Sequence, residues 1–388
     1  MEKSWKKKAY VFLVSQNISL FGSLVTSFAI TWHISLATNS ATWMAIATIC
    51  TILPQIAVSL VGGFLADNYS RKMLIIAADG GIALMTVVLF VMNLKGTVAI
   101  GLLLLFTALR SVGQGIQAPA VSATYPTIVP EEALATVNGH NQTMVSVSSF
   151  FAPMIGGVIL AASNLAIALL VDVVTALIEV GCLTFLTLPK VNQRVKNNML
   201  PELLTGWKVA LKIKPLKKLL AVYTASFLFI TPMMVLGLIM VQQRFGLDVK
   251  LLTSQEVIWG LGSIVGGLIV GKITKKYELK KIVVISLTVF GVLMSLMSVV
   301  PLFWMYLLLS FATGLLMSLI IAAQTTVIQT LVPLENMGQV FAAFQMSSNL
   351  MILLGSIIFG PLSDLVGIQI IFIASGVLLI ISSCLYNK

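Results

Sequence analysis

Apolar residues run along this chain in twelve continuous stretches of about twenty or more, and polar residues are largely confined to the gaps between them. The stretches occupy 9–33, 41–66, 73–93, 97–119, 137–162, 165–188, 219–241, 254–273, 281–300, 302–325, 338–360 and 367–386. A helix rises about 1.5 Å per residue, so roughly twenty apolar residues cross the hydrocarbon core of a bilayer. The runs are unbroken rather than alternating, which predicts helices and not the strands of a barrel.

The one long polar gap, 190–218, divides the spans six and six. It predicts an N-terminal six-helix bundle over 1–189, a linker over 190–218 and a C-terminal six-helix bundle over 219–388. Within the linker Leu203, Trp207 and Leu211 recur every four residues, with Lys208 and Lys212 elsewhere on the circle, which predicts a short helix at the membrane surface. The halves also repeat. Thr127-Ile-Val-Pro-Glu-Glu132 returns as Thr330-Leu-Val-Pro-Leu-Glu335, and Gly63-Phe-Leu-Ala-Asp-Asn-Tyr-Ser-Arg-Lys72 aligns with Gly267-Leu-Ile-Val-Gly-Lys-Ile-Thr-Lys-Lys276. The expected fold is all-α and integral to the membrane, with twelve helices in two pseudo-symmetric bundles. A parallel repeat of this kind places a substrate path between its halves.

Composition agrees. Of 388 residues, 58% are hydrophobic and 10% charged, with a mean hydropathy of +1.03. A soluble chain carries about a quarter charged residues. The net charge of +11 would suggest nucleic acid in such a chain, but here its placement gives a different reason. With the N-terminus inside, twenty of the twenty-four lysines and arginines fall in cytoplasmic segments, and only Lys95, Arg244 and Lys250 fall outside. That is the positive-inside pattern of a multi-pass cell-membrane protein with both termini cytoplasmic; a bacterial cell is the expected setting. Anionic lipid is then a partner and nucleic acid is not. The first run follows Lys3, Lys6, Lys7 and Lys8 without a small-residue cleavage site, so it is expected to be a retained span. Cys50, Cys182 and Cys384 lie far apart in apolar runs and read as small packing residues. No phosphate-binding glycine loop, zinc signature or nucleophile elbow occurs, so neither a cofactor, a metal nor ATP is expected.

Two segments look built for motion. Gly63-x-Leu65-Ala66-Asp67-x-x-x-Arg71-Lys72 closes the second span, where Asp67 could pair with a cation or a helix N-terminus and latch the cytoplasmic face. Gly62 and Gly63 permit the close helix approach such a gate needs. In the fifth span, Gly139 is followed by Pro153, Gly156 and Gly157, a kink with small neighbours over which a partner helix can slide. Ordinary tight packing explains the same residues.

These motifs resemble the major facilitator superfamily. The Gly63–Lys72 loop is similar to its signature between helices 2 and 3, departing at Asn68 and Ser70, and the fifth span is similar to its exporter motif, departing at Ser148 and Ala152. Gln16-x-x-Ser19-x-x-Gly22-Ser23, Trp32, Arg110-Ser-x-Gly113, Pro119-Ala120, Val129-Pro130-Glu131-Glu132 and Asp172 resemble the macrolide-efflux members of its drug:proton antiporter branch. The resemblance covers the whole chain. It implies a secondary active exporter of amphipathic, drug-like compounds, working by alternating access, driven by protons and functional as a monomer.

Ionisable groups inside spans are functional candidates by default. Arg110, Asp172, Glu179 and Asp79 are the proton-coupling candidates, and the seven-residue spacing of Asp172 and Glu179 puts both on one helical face. A structural pair, Arg110 with one of the acids, competes with proton carriage. Gln16, Asn17, Gln142, Phe151, Trp259, Gln324, Gln345 and Asn349 are the candidates to line the substrate path. A carrier for a native metabolite or siderophore remains an alternative, as does a membrane sensor or scaffold without transport. A lipid-directed enzyme is disfavoured because no nucleophile, base or metal set clusters.

Overall fold

A computed structural model describes residues 2–96, 98–162, 165–188 and 199–387 of the chain. Its secondary structure over these residues is helical throughout. The first half holds α1 (Glu2–Thr38), α2 (Ala41–Asn68), α3 (Arg71–Leu94), α4 (Ile100–Ile128), α5 (Glu131–Ala162) and α6 (Leu165–Phe185). There follow α7 (Met199–Lys212), α8 (Lys214–Phe245), α9 (Val249–Lys276), α10 (Leu279–Met297), α11 (Phe303–Leu331), α12 (Leu334–Val366) and α13 (Ile368–Asn387). All but α7 contain a stretch long and apolar enough to cross a membrane, giving twelve candidate spans that coincide in order with the twelve expected from the sequence. Large apolar side chains such as Val158, Leu177 and Leu268 stand exposed within the spans, as a lipid-facing surface requires.

The helices begin and end where local chemistry allows. Ser70 caps α3, its Oγ accepting from Met73 N, and Asp248 caps α9, accepting from Lys250 N at 2.8 Å. Gly246 and Gly367 close α8 and α12 at φ 116° and 92°, a region L side chains rarely adopt. Asn39 turns the chain between α1 and α2 at φ 46°, a conformation asparagine tolerates better than most side chains. Residues 190–198 of the expected linker lie outside the described residues.

The chain divides into two compact units, one of Met1–Ala37 with Cys50–Asn197, the other of Thr38–Ile49 with Asn198–Lys388. The opening turns of α2 therefore pack with the second unit. In the first unit Phe12, Leu13, Ile75, Tyr125, Val137 and Leu183 form a buried cluster joining α1, α3, α4, α5 and α6 at one end, with Phe12 and Tyr125 edge to face at 5.3 Å. In the second, α9 and α11 approach through small residues. A Cβ added to Gly262 would lie 2.0 Å from Phe311 O, and one added to Gly314 would lie 2.1 Å from Trp259 O. The linker helix α7 lies on α12: Trp207 Nε1 donates to Ser347 Oγ at 3.0 Å, and Gly206 abuts the backbone of Gln339, while Leu211 is exposed.

Candidate functional site

The interior of the first unit is polar at two levels. On α6, Asp172 and Glu179 are seven residues apart and face the same way, toward α1, α3 and α4. On α3, Asp79 and Thr86 share the same spacing. Seven residues of helix rise about 10 Å, so each level of α6 meets a matching level of α3. Asp79, Arg110, Asp172 and Glu179 are 4%, 3%, 1% and 0% exposed, so each depends on its protein partners and not on water.

At the first level Arg110 on α4 is ion-paired through Nη1 to Asp172 Oδ2, and the same nitrogen donates to Thr86 Oγ1. Ser23 Oγ donates to Asp172 Oδ1 at 2.8 Å, and Thr86 Oγ1 lies 2.9 Å from Oδ2. Both aspartate oxygens are thus occupied, and the charges cancel. Gly22 makes this closeness possible, because a Cβ there would collide with Thr175 Oγ1 at 1.9 Å. The alternative raised by the sequence, Arg110 as structural partner of one acid, describes this level.

The second level has no cation among the described residues. Gln16 Nε2 on α1 donates to Glu179 Oε1, and Ser19 lies beside the glutamate. Gln117 Nε2 on α4 lies 3.4 Å from Asp79 Oδ2 and 3.5 Å from Gln16 Oε1. The carboxyls of Asp79 and Glu179 lie near enough to interact electrostatically across α3 and α6. Two carboxylates offer only acceptors, so a direct bond between them would need a proton on one. Four helices therefore converge on a buried pair of carboxyls. Gln117, which the sequence reading did not single out, belongs to it.

The other expected residues fall elsewhere. Asn17 donates to Leu13 O and to Asn141 Oδ1, both at 2.9 Å, and Tyr125 reaches the same Asn141 oxygen at 3.3 Å. Asn141 thus meets Asn17, and the side chain of its neighbour Gln142 lies outside the described residues, as do those of Asp67 and Gly139. Arg71 donates to Ala66 O and Ala123 O, and Lys72 donates to Thr184 O and Leu186 O, so the two loop cations bind the carbonyl ends of α2, α4 and α6. Gly63 is half-buried near them. Pro153, Gly156 and Gly157 are buried, and Gly156 faces Val25 O of α1, where a Cβ would sit at 3.2 Å. Phe151 is exposed and stacks edge-on with Phe150.

In the second unit Gln324 is buried beside Tyr223, whose hydroxyl faces it and Ser348, in a cleft shared with Ser226, Phe227 and Ile230. Gln345 is exposed and bonds Asn349 at 3.2 Å, and Trp259 is half-buried on α9. Two acids went unnoticed in the sequence. Glu256 lies in the span of α9, and Asp364 near the end of α12 accepts from Ala41 N at 3.0 Å, Thr42 N at 2.9 Å and Ser40 Oγ at 2.8 Å, capping the start of α2.

Comparison with known proteins gives the same architecture. The profile of a family described as transmembrane secretion effector, one of the major facilitator families, matches residues 6–388. Macrolide efflux protein A of Streptococcus pyogenes is 27% identical over 393 residues, covering 98% of this chain and 96% of that protein. A staphyloferrin A transporter of Staphylococcus aureus is 21% identical over 151 residues, covering 39% of this chain and 38% of that one. Among solved structures, a bacterial homologue of the human lysosomal transporter spinster superposes with a TM-score of 0.77 at 13% identity, covering 98% of this chain and 96% of the other.

Proposed function

The chain belongs to the transmembrane secretion effector family of the major facilitator superfamily and is a transporter rather than an enzyme; on that premise we propose that it exports amphipathic compounds in exchange for protons. The observation that carries the coupling is the separation of the buried charges into two levels. Arg110 and Asp172 are ion-paired, which supports a structural role for them and leaves carriage to the second level. Asp79 and Glu179 hold one proton between them with Gln16 and Gln117 as neutral neighbours, and no cation fixes their charge. In a dry interior the pair tolerates one negative charge far better than two. A proton taken from outside neutralises it, and release toward the cytoplasm restores the charge, so the protein's two conformations differ in which side the pair is open to.

The substrate is amphipathic and drug-like, and macrolides head the compounds to test because the similarity to a macrolide efflux protein runs along the whole chain. A siderophore or another native metabolite is the second reading, favoured by the partial similarity to a staphyloferrin transporter. The distribution of lysine and arginine supports a cytoplasmic location for both termini in a bacterial cell membrane. The 1–189 and 219–388 bundles move about the linker, with Asp67, Arg71 and Lys72 at the cytoplasmic gate and Gly139, Pro153, Gly156 and Gly157 as the flexible run of α5. One polypeptide completes the cycle.

Expression in a bacterial strain stripped of its own pumps tests the reading. Lower susceptibility to at least one amphipathic compound, abolished by Glu179→Gln, is expected. Unchanged susceptibility across macrolides and other lipophilic drugs removes the export reading.

A further inference from the structure

Glu256 sits on α9, just over two turns in from the Asp248 cap and inside the candidate span Val249–Val270. It is half-buried and, among the described residues, has neither a hydrogen bond nor an ion pair. Arg244, near in sequence, is committed to the carbonyls of Ser298 and Val299. A carboxylate inside a membrane span is expensive without a partner, so one left unpaired marks a place where a partner comes and goes.

What lies opposite narrows that partner. The crossing of α9 and α11 at Trp259–Gly314 and Gly262–Phe311 brings the turn of Glu256 against the start of α11. There Tyr306 and Ser310, one turn apart and each 0% exposed, hold a hydroxyl oxygen with no hydrogen-bond partner. Tyr306 is within electrostatic reach of Glu256, yet the two are not bonded to each other. Tyr306 also belongs to a cluster of three rings, with Phe245 at 5.5 Å and Phe303 at 6.4 Å.

We propose that Glu256, Tyr306 and Ser310 form a binding point for the protonated amine of an amphipathic substrate. An ammonium supplies a positive charge for the carboxylate, N–H donors for acceptor oxygens left unmet, and a cation for the faces of the rings. A bare proton on Glu256 would neutralise the acid but supply a single O–H donor, enough for one of the two hydroxyl oxygens and not both. The apolar remainder of the ligand lies along the half-buried and exposed apolar side chains of the same helix, among them Trp259 and Leu261. This assignment names the substrate class of the export reading and rests on it for its biological meaning, but binding can be measured without transport.

The test is a fluorescence titration of the detergent-purified full chain with a dansyl-tagged long-chain tertiary amine and with the neutral ether of the same length. The wild type is expected to bind the amine at least tenfold tighter than the ether. Glu256→Gln should erase that preference while leaving ether binding within twofold, which also shows that the variant is folded. Tyr306→Phe should reduce the preference severalfold. A preference that survives in Glu256→Gln, or a wild type that binds both probes equally, overturns the proposal. Amine binding without energised uptake into inside-out vesicles would leave this site standing and count against export.

Discussion

Arg110 on α4 is ion-paired with Asp172 on α6, and because that pair is complete, Glu179 one level along α6 is left without a cation. The two acids share a helical face and a buried environment, yet they are suited to different tasks. Breaking a buried pair by removing one partner strands a charge, at a cost of about 3–5 kcal/mol. Asp172→Leu and Arg110→Met are therefore expected to be strongly destabilising singly and much less so together, as read from thermal unfolding in detergent. A folded, stable Asp172→Leu protein that has lost only proton coupling would reverse the two roles.

Gln16 is expected to matter through its bond to Glu179 and not through substrate contact alone. Gln16→Leu should lower gradient-driven uptake into inside-out vesicles about tenfold, of the order expected for one lost hydrogen bond to a charged group, and leave the folding midpoint close to wild type. Equal loss of driven and downhill transport would assign it to substrate binding.

Two glycines of α9 separate close packing from chance. A Cβ on Gly262 meets Phe311 O at 2.0 Å, whereas one on Gly267 meets nothing within 4 Å. Gly262→Ala should cost about 1–3 kcal/mol by forcing α9 and α11 apart, and Gly267→Ala should be neutral or slightly stabilising. Unfolding midpoints of the two variants, side by side, check this directly.

Asp364 replaces a local cap with one supplied from 322 residues away, holding Ala41 N, Thr42 N and Ser40 Oγ. Asp364→Ala is expected to cost about 1 kcal/mol and to speed hydrogen exchange at Ala41 and Thr42. Unchanged exchange there would mean the cap contributes nothing.

The twelve spans were legible because each is a continuous apolar run longer than any soluble core needs, and the shared face of Asp172 and Glu179 followed from helical geometry alone. Which acid takes Arg110 was not legible, since it depends on the rotation of α3 and α4 about their axes. Gln142 was expected to line the substrate path and its side chain lies outside the described residues, while its neighbour Asn141, which the sequence did not single out, meets Asn17. Glu256 escaped notice because the apolar run seemed to begin at 254, which put the acid at a membrane edge; α9 begins at Val249, which draws it inward. Asp364 was missed for the mirror-image reason, as α12 continues to Val366, beyond the apparent end of its run at 360.

Proton movement in inside-out vesicles, followed with a pH-sensitive dye as substrate is added, tests the central claim most directly. Wild type should release protons with substrate, and Glu179→Gln should abolish release and uphill uptake while still equilibrating substrate downhill. If Glu179→Gln and Asp79→Asn each drive substrate uphill at the wild-type rate, the Asp79–Glu179 pair is not the proton carrier.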